Sequence, residues 1–172
     1  MSATRTLYTL GYEGMTIEGF IARLKDAEVE TVFDVRDMPL SHKRGFSKNG
    51  LAAALGHAGI GYEHWRSVGA PKELRHRYRA DHNWNAYAAG FRAHLATRRD
   101  AVRDLAREAT ERKICLVCYE ADADLCHRSM VAEAARKVVP LDIVHLRAHT
   151  EGDVSVIMPP KRRQAPKPPP RA

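Results

Sequence analysis

Cysteine is scarce in this chain: Cys115, Cys118 and Cys126 are the only three among 172 residues. An odd, small number in a chain of this length excludes a disulfide scaffold and points to a reducing compartment. Long apolar runs are missing too. No stretch reaches the roughly eighteen apolar residues that a membrane-crossing helix needs. Met1 to Thr9 has no long apolar segment after its basic residue, so no secretory signal is read there and a cytoplasmic location is expected. No internal repeat is visible. Acidic residues are absent from 161–172, where Lys161, Arg162, Arg163, Lys167 and Arg171 gather. Without that segment the chain holds 23 basic against 21 acidic residues, so most of the formal charge of +7 belongs to the tail. A basic tail attracts nucleic acid without reading its sequence, or simply keeps the chain in solution.

What is present suits one α/β domain over residues 1–158, followed by a disordered, basic, Pro-rich tail over 159–172. The apolar fraction of 44% is ordinary for a globular chain. Residues 7–10 (LYTL) form an apolar run that ends at Gly11. Thr16 is placed to cap a helix whose apolar residues Ile17, Phe20, Ile21 and Leu24 recur at helical spacing. Thr31 to Val35 reads as a second strand, and this β–α–β spacing predicts parallel pairing. Leu51, Leu55 and Ala58 mark a second helix closed by Gly59 and Gly61, and Tyr62 to Trp65 a third strand. Pro71 starts a basic helical turn. Asn85 to Glu111 is helical, with a break near Thr97. Lys113 to Tyr119 is a continuous apolar run, as in a strand covered on both faces. His127 to Val138 is the last helix, Leu141 to Leu146 the fifth strand, and Asp153 to Met158 a further edge strand. The expected architecture is a three-layer, open, mainly parallel sheet of about five strands with helices on both faces.

Open α/β sheets bind ligands beyond the carboxyl ends of their strands, so the residues just after each strand carry the functional expectations. The first strand is followed by Tyr12 and Glu13, flanked by glycines that allow close approach of a ligand. The second ends at Asp34 and Arg36, which alternate to one face. Asp34 is either a general base or the structural partner of Arg36, and both readings stay open. The loop that follows carries Ser41, Lys43 and Phe46, and a second basic stretch carries Lys72 and Arg75. Cations interleaved with aromatics suit a phosphate backbone and a stacked base. The fourth strand leads to Glu120 and then to Cys126, His127 and Arg128, where a helix begins. A helix N-terminus favours an anion and promotes the thiolate, so Cys126 is a candidate nucleophile or, alternatively, a small buried cap. Cys115 and Cys118 fall on opposite faces of one strand and do not share an ion. A metal site from Cys118, Glu120, Cys126 and His127 is an alternative; no cofactor is otherwise implied.

TLGYEGMTIEGFIARL, FDVRDMPLS with GFSKNGL, GAPKELR, and CLVCYE with CHRSMVAE occur in this order. Together they resemble the domain-of-unknown-function family 488, from about Leu7 to Leu146. The resemblance implies a compact bacterial or archaeal α/β protein and assigns no reaction. It marks Tyr12, Glu13, Asp34, Arg36, Ser41, Phe46, Ser47, Lys72, Glu73, Arg75, Cys118, Glu120, Cys126, His127 and Arg128 as motif positions. The chain departs from the family pattern at His42, where Arg is usual, and near Ala123, where Pro is frequent.

The sequence-level expectation is an enzyme, of hydrolase or lyase type, acting on nucleic acid or another phosphate-bearing substrate. Glu13, Asp34, Glu120 and Cys126 are its candidate catalytic groups. Tyr12, Arg36, Ser41, Lys43, Phe46, Lys72, Arg75, His127 and Arg128 are its candidate anion and substrate contacts. The alternatives are a non-catalytic nucleic-acid or nucleotide-binding module, and a thiol-redox or metal protein centred on Cys118 and Cys126.

Overall fold

The computed structural model describes residues 5–149. The expected strand at 153–158 and the tail at 159–172 lie outside the described residues. Five strands form one sheet: β1 (Arg5–Gly11), β2 (Thr31–Asp34), β3 (Gly61–His64), β4 (Ile114–Cys118) and β5 (Leu141–His145). Six helices connect them: α1 (Ile17–Asp26), α2 (Lys48–His57), α3 (Lys72–Asp81), α4 (Trp84–Ala96), α5 (Arg99–Glu111) and α6 (His127–Val138). Every strand pairing is parallel, and the order is β3-β2-β4-β1-β5. Among the described residues no helix is long and apolar enough to cross a membrane.

Local chemistry explains the element ends. Thr16 caps α1, its hydroxyl accepting the Gly19 N–H at 3.1 Å. Asn83 caps α4 by accepting from Ala86. The long helical stretch breaks at Thr97 and Arg98 as its spacing implies. The basic turn expected after Pro71 is a full ten-residue helix, α3, without a buried residue. Leu74 and Tyr78 still lean on the neighbouring core, which stabilises a helix that has no apolar stripe of its own.

The sheet separates two cores. Phe20 and Leu24 of α1 and Leu51 and Leu55 of α2 cover one face, over Leu10, Val32 and Val117. Phe91 of α4, Leu105 of α5 and Val131 of α6 cover the other, over Leu7, Phe33 and Leu116. All five residues of β4 are buried, as a central strand between two helical layers requires. Each fully buried large side chain contributes about 1.5–3 kcal/mol relative to exposure. Cys115 faces one core and Cys118 the other, as strand alternation dictates.

The connections also set the site. Crossings from β1 to β2 and β2 to β3 use the α1–α2 face, while those from β3 to β4 and β4 to β5 use the opposite face. The chain leaving β4 therefore continues to the opposite helical layer from the chains leaving β1 and β2 on either side of it. That divergence opens a crevice at the carboxyl ends of the three middle strands.

Candidate functional site at the carboxyl edge of the sheet

A cleft of about 730 Å³ occupies this crevice. Its walls come from the turn after β1 (Tyr12, Gly14), the loop after β2 (Arg36 to Lys43), the α3–α4 pair (Arg75, Tyr78, Arg79, Trp84, Tyr87) and the end of β4 (Cys118, Tyr119, Glu120). His127, the first residue of α6, reaches it from below.

The loops after β1 and β4 are zipped together. Tyr12 N–H donates to the Cys118 carbonyl at 3.1 Å and Glu13 N–H to the Tyr119 carbonyl at 2.8 Å. A β carbon on Gly11 would collide with the backbone carbonyl of Glu120, so only glycine permits this approach. Tyr12 stacks on Phe46, with ring centres 4.3 Å apart, and meets Tyr119 edge-on at 5.4 Å.

Asp34 is fully buried, and both its oxygens are engaged. Oδ1 accepts from the Arg36 backbone N–H and Nε, and Oδ2 from Arg36 Nη2 and from the Tyr62 hydroxyl at 2.6 Å. Burial, together with Asp34, pushes the Tyr62 phenol well up. Arg36 also donates through Nη1 to the Tyr12 hydroxyl and the Phe46 carbonyl. Burial works against its charge, but Asp34 outweighs that and raises its pKa. Arg36 thus ties β2, the long loop and the β1 turn together. Asp34 faces this knot and does not line the cleft.

Within the loop, the Ser47 hydroxyl donates to the Ser41 carbonyl and accepts its N–H, and the Ser41 hydroxyl accepts from the Lys43 N–H. Ser41 therefore shapes the wall that presents Lys43. Asp37 is half-buried and pairs with Arg66 at 3.2 Å and Arg75 at 3.3 Å. It borders both this cleft and a neighbouring cavity of about 550 Å³ that holds Lys72.

Arg128 has no exposed surface. Nε donates to Thr9 Oγ1 at 3.1 Å, Nη1 to Cys118 Sγ at 3.3 Å and to the Glu120 carbonyl, and Nη2 to the Ala121 carbonyl at 3.2 Å. Burial lowers its pKa. Cys126 caps α6, buried, and its sulfur accepts the Arg128 N–H at 3.5 Å. The sulfurs of Cys118 and Cys126 are in contact. His127 Nε2 lies 2.7 Å from the Val35 carbonyl, and burial lowers its pKa despite that bond, favouring the neutral ring. Cys118 Sγ lies 3.3 Å from Glu120 Oε2.

The structure thus brings Tyr12, Arg36, Ser41, Lys43, Arg75, Glu120 and His127 to one cleft. It does not bring the others. Glu13 is exposed and turns its carboxylate to the Ala121 N–H at 3.1 Å. Phe46 is buried beneath Tyr12, and Lys72 lies in the neighbouring cavity. Arg128 and Cys126 lie under the floor, because each is occupied in holding the start of α6 and the loop after β4. Sequence reasoning missed Asp37, Trp84 and Tyr87 as walls of the cleft. The basic stretch at 71–79 hinted at Arg79, but a single acid in a charged loop gives no sign of Asp37.

No curated protein and no solved structure matches the chain. A family model described as Domain of unknown function DUF488 matches residues 16–135. That stretch includes the cleft's β2 loop, its α3–α4 wall, Glu120 and the CHR segment, and the chain belongs to the DUF488 family.

Proposed function

We propose that the chain is an enzyme acting on nucleic acid or a related phosphate-bearing substrate, which it holds in the sheet-edge cleft. The observation that carries this reading is the convergence in one crevice of aromatic rings, of Lys43 and Arg79, which have no ion-pair partner among the described residues, and of the Glu120 carboxylate. Tyr119 is 49% exposed and offers a ring face to a base. Base–aromatic stacking contributes about 1–3 kcal/mol per base and tolerates any sequence. Lys43 and Arg79 line the same space and supply charge for phosphate, while Arg75 is steadied by Asp37 and the Ala70 carbonyl.

Glu120 is the group suited to proton transfer. It is half-buried, lines the cleft and has the Cys118 sulfur beside it. Burial and the neighbouring Glu120 push the Tyr87 phenol up, which keeps it a neutral hydroxyl donor facing the substrate space. Arg36, Asp34 and Arg128 act through position, by fixing the loops that carry these groups.

Titration of a short single-stranded oligonucleotide tests the reading. The Lys43→Gln/Arg79→Gln pair changes two cleft cations and is expected to weaken binding by about tenfold and to flatten the salt dependence by about 0.7 per lost phosphate contact. Glu120→Gln is expected to keep binding and lose turnover. Equal affinity in wild type and the double variant would reject the cleft as the binding site. Binding without turnover in any protein form would leave a non-catalytic module.

A further inference from the structure

We propose that Cys118, Cys126 and His127 form a binding site for a soft or borderline divalent metal ion, Zn²⁺ by donor chemistry, at the floor of the cleft. The inference goes beyond the reading of the cleft and does not depend on it.

The three donor atoms all lie within 4.8 Å of one another, and all three residues are buried. They come from two elements that the fold drives together: Cys118 ends β4, and Cys126 and His127 begin α6. The orientation of His127 is fixed from behind. A backbone carbonyl can only accept, so the 2.7 Å contact with Val35 places the ring proton on Nε2. Nδ1 is left as the lone pair, and it faces Cys126 Sγ at 3.8 Å. A ligating imidazole whose other nitrogen is tied to a carbonyl is the usual arrangement around protein-bound metals.

Both sulfurs also accept hydrogen bonds, as a metal-ligating sulfur commonly does. Arg128 donates to Cys118 Sγ from its guanidinium and to Cys126 Sγ from its backbone. The α carbons of the two cysteines are 7.8 Å apart, wider than the roughly 4.4–6.8 Å that a disulfide ordinarily spans. Two thiolates joined through an ion tolerate a wider backbone separation than two joined directly. Two sulfurs and one imidazole suit zinc and exclude magnesium and calcium, which prefer all-oxygen shells. Of the donors, Cys118 and His127 line the cleft, as does Glu120, whose Oε2 lies 3.3 Å from Cys118 Sγ. The fourth position is therefore open to water or to a substrate oxygen, as at catalytic zinc sites, with Glu120 beside it.

Titration of the reduced, metal-stripped full chain with Co²⁺ and then Zn²⁺ tests the site. One ion per chain, with a cobalt–thiolate charge-transfer band that Zn²⁺ abolishes, is expected. Cys118→Ser and Cys126→Ser are each expected to weaken binding by about 100-fold or more. Cys115→Ser, on the opposite face of β4, keeps it. The wild-type titration stands alone if a variant fails to fold. Absence of the band in folded wild type, or a Cys118–Cys126 disulfide in chain alkylated directly from reducing cells, overturns the proposal. Oligonucleotide binding through Lys43 and Arg79 is read separately, so either idea can fail alone.

Discussion

Arg36 grips Asp34 with a two-bond fork, Nε to Oδ1 at 2.8 Å and Nη2 to Oδ2 at 2.7 Å, in a setting where neither side chain is more than 8% exposed. The remaining guanidinium nitrogen holds Tyr12 and Phe46. One ion pair thereby sets the distance between two walls of the cleft. Asp34→Ala would leave a buried guanidinium without its counter-charge and the Tyr62 hydroxyl without its acceptor. A loss of about 3–5 kcal/mol in urea unfolding is expected. Tyr62→Phe removes one bond of 2.6 Å and should cost about 1–2 kcal/mol.

Gly11 is the hinge point between β1 and the loop after β4. A β carbon there meets the Glu120 carbonyl backbone, which has no flexible end to move aside. Gly11→Ala is expected to destabilise the fold by about 1–3 kcal/mol and to displace Glu120 from the cleft. Thermal unfolding reads the first effect and oligonucleotide turnover the second. A variant with unchanged stability and turnover would contradict the packing described here.

His145 gives a pH dependence of definite sign. His145 Nδ1 lies 2.6 Å from the Thr9 hydroxyl, whose oxygen also accepts the Arg128 Nε–H, so the charge of Arg128 is held close to the ring. Burial lowers the folded pKa first, Arg128 and Arg147 repel the proton, and Asp124 and Glu133 only partly offset them. Above the ordinary value of 6.5 the ring is neutral in both states and this contribution is complete. Below it the unfolded chain takes the proton first, and stability falls with pH until the folded pKa is passed. His145→Asn is expected to show a smaller drop in unfolding midpoint between about pH 7 and pH 5 than wild type.

The tail from 160 to 172 carries Lys161, Arg162, Arg163, Lys167 and Arg171 and no acid. Its removal is expected to weaken oligonucleotide binding and make it less sensitive to salt, since fewer counterions are released. Filter binding across a salt series checks this. An unchanged slope would assign the tail to solubility.

The architecture was legible where one face or two faces of an element had to be buried. KICLVCY announced a strand covered on both sides, and β4 lies at the centre of the sheet. Thr16, Pro71 and the 127–138 pattern marked helix ends through local chemistry. Strand order was not legible, because β4 inserts between β1 and β2 from a hundred residues away and no local signal encodes that pairing. Part of the cleft wall was legible as positions, Tyr12, Arg36, Ser41, Lys43, Arg75, Glu120 and His127, and the rest of the expected set lies outside it. Arg36 and Arg128 looked like free anion donors until their partners, largely carbonyls and one buried carboxylate, came into view. Asp37 was invisible because its meaning lies in Arg66 and Arg75, about thirty and forty residues onward.

Chemical-shift mapping of the labelled chain with a short single-stranded oligonucleotide tests the cleft assignment most directly. Backbone shifts concentrated at residues 12–14, 36–43, 75–87 and 118–120 are expected. Shifts confined to the outer surfaces of α4, α5 and α6, or none at saturating oligonucleotide, would contradict it.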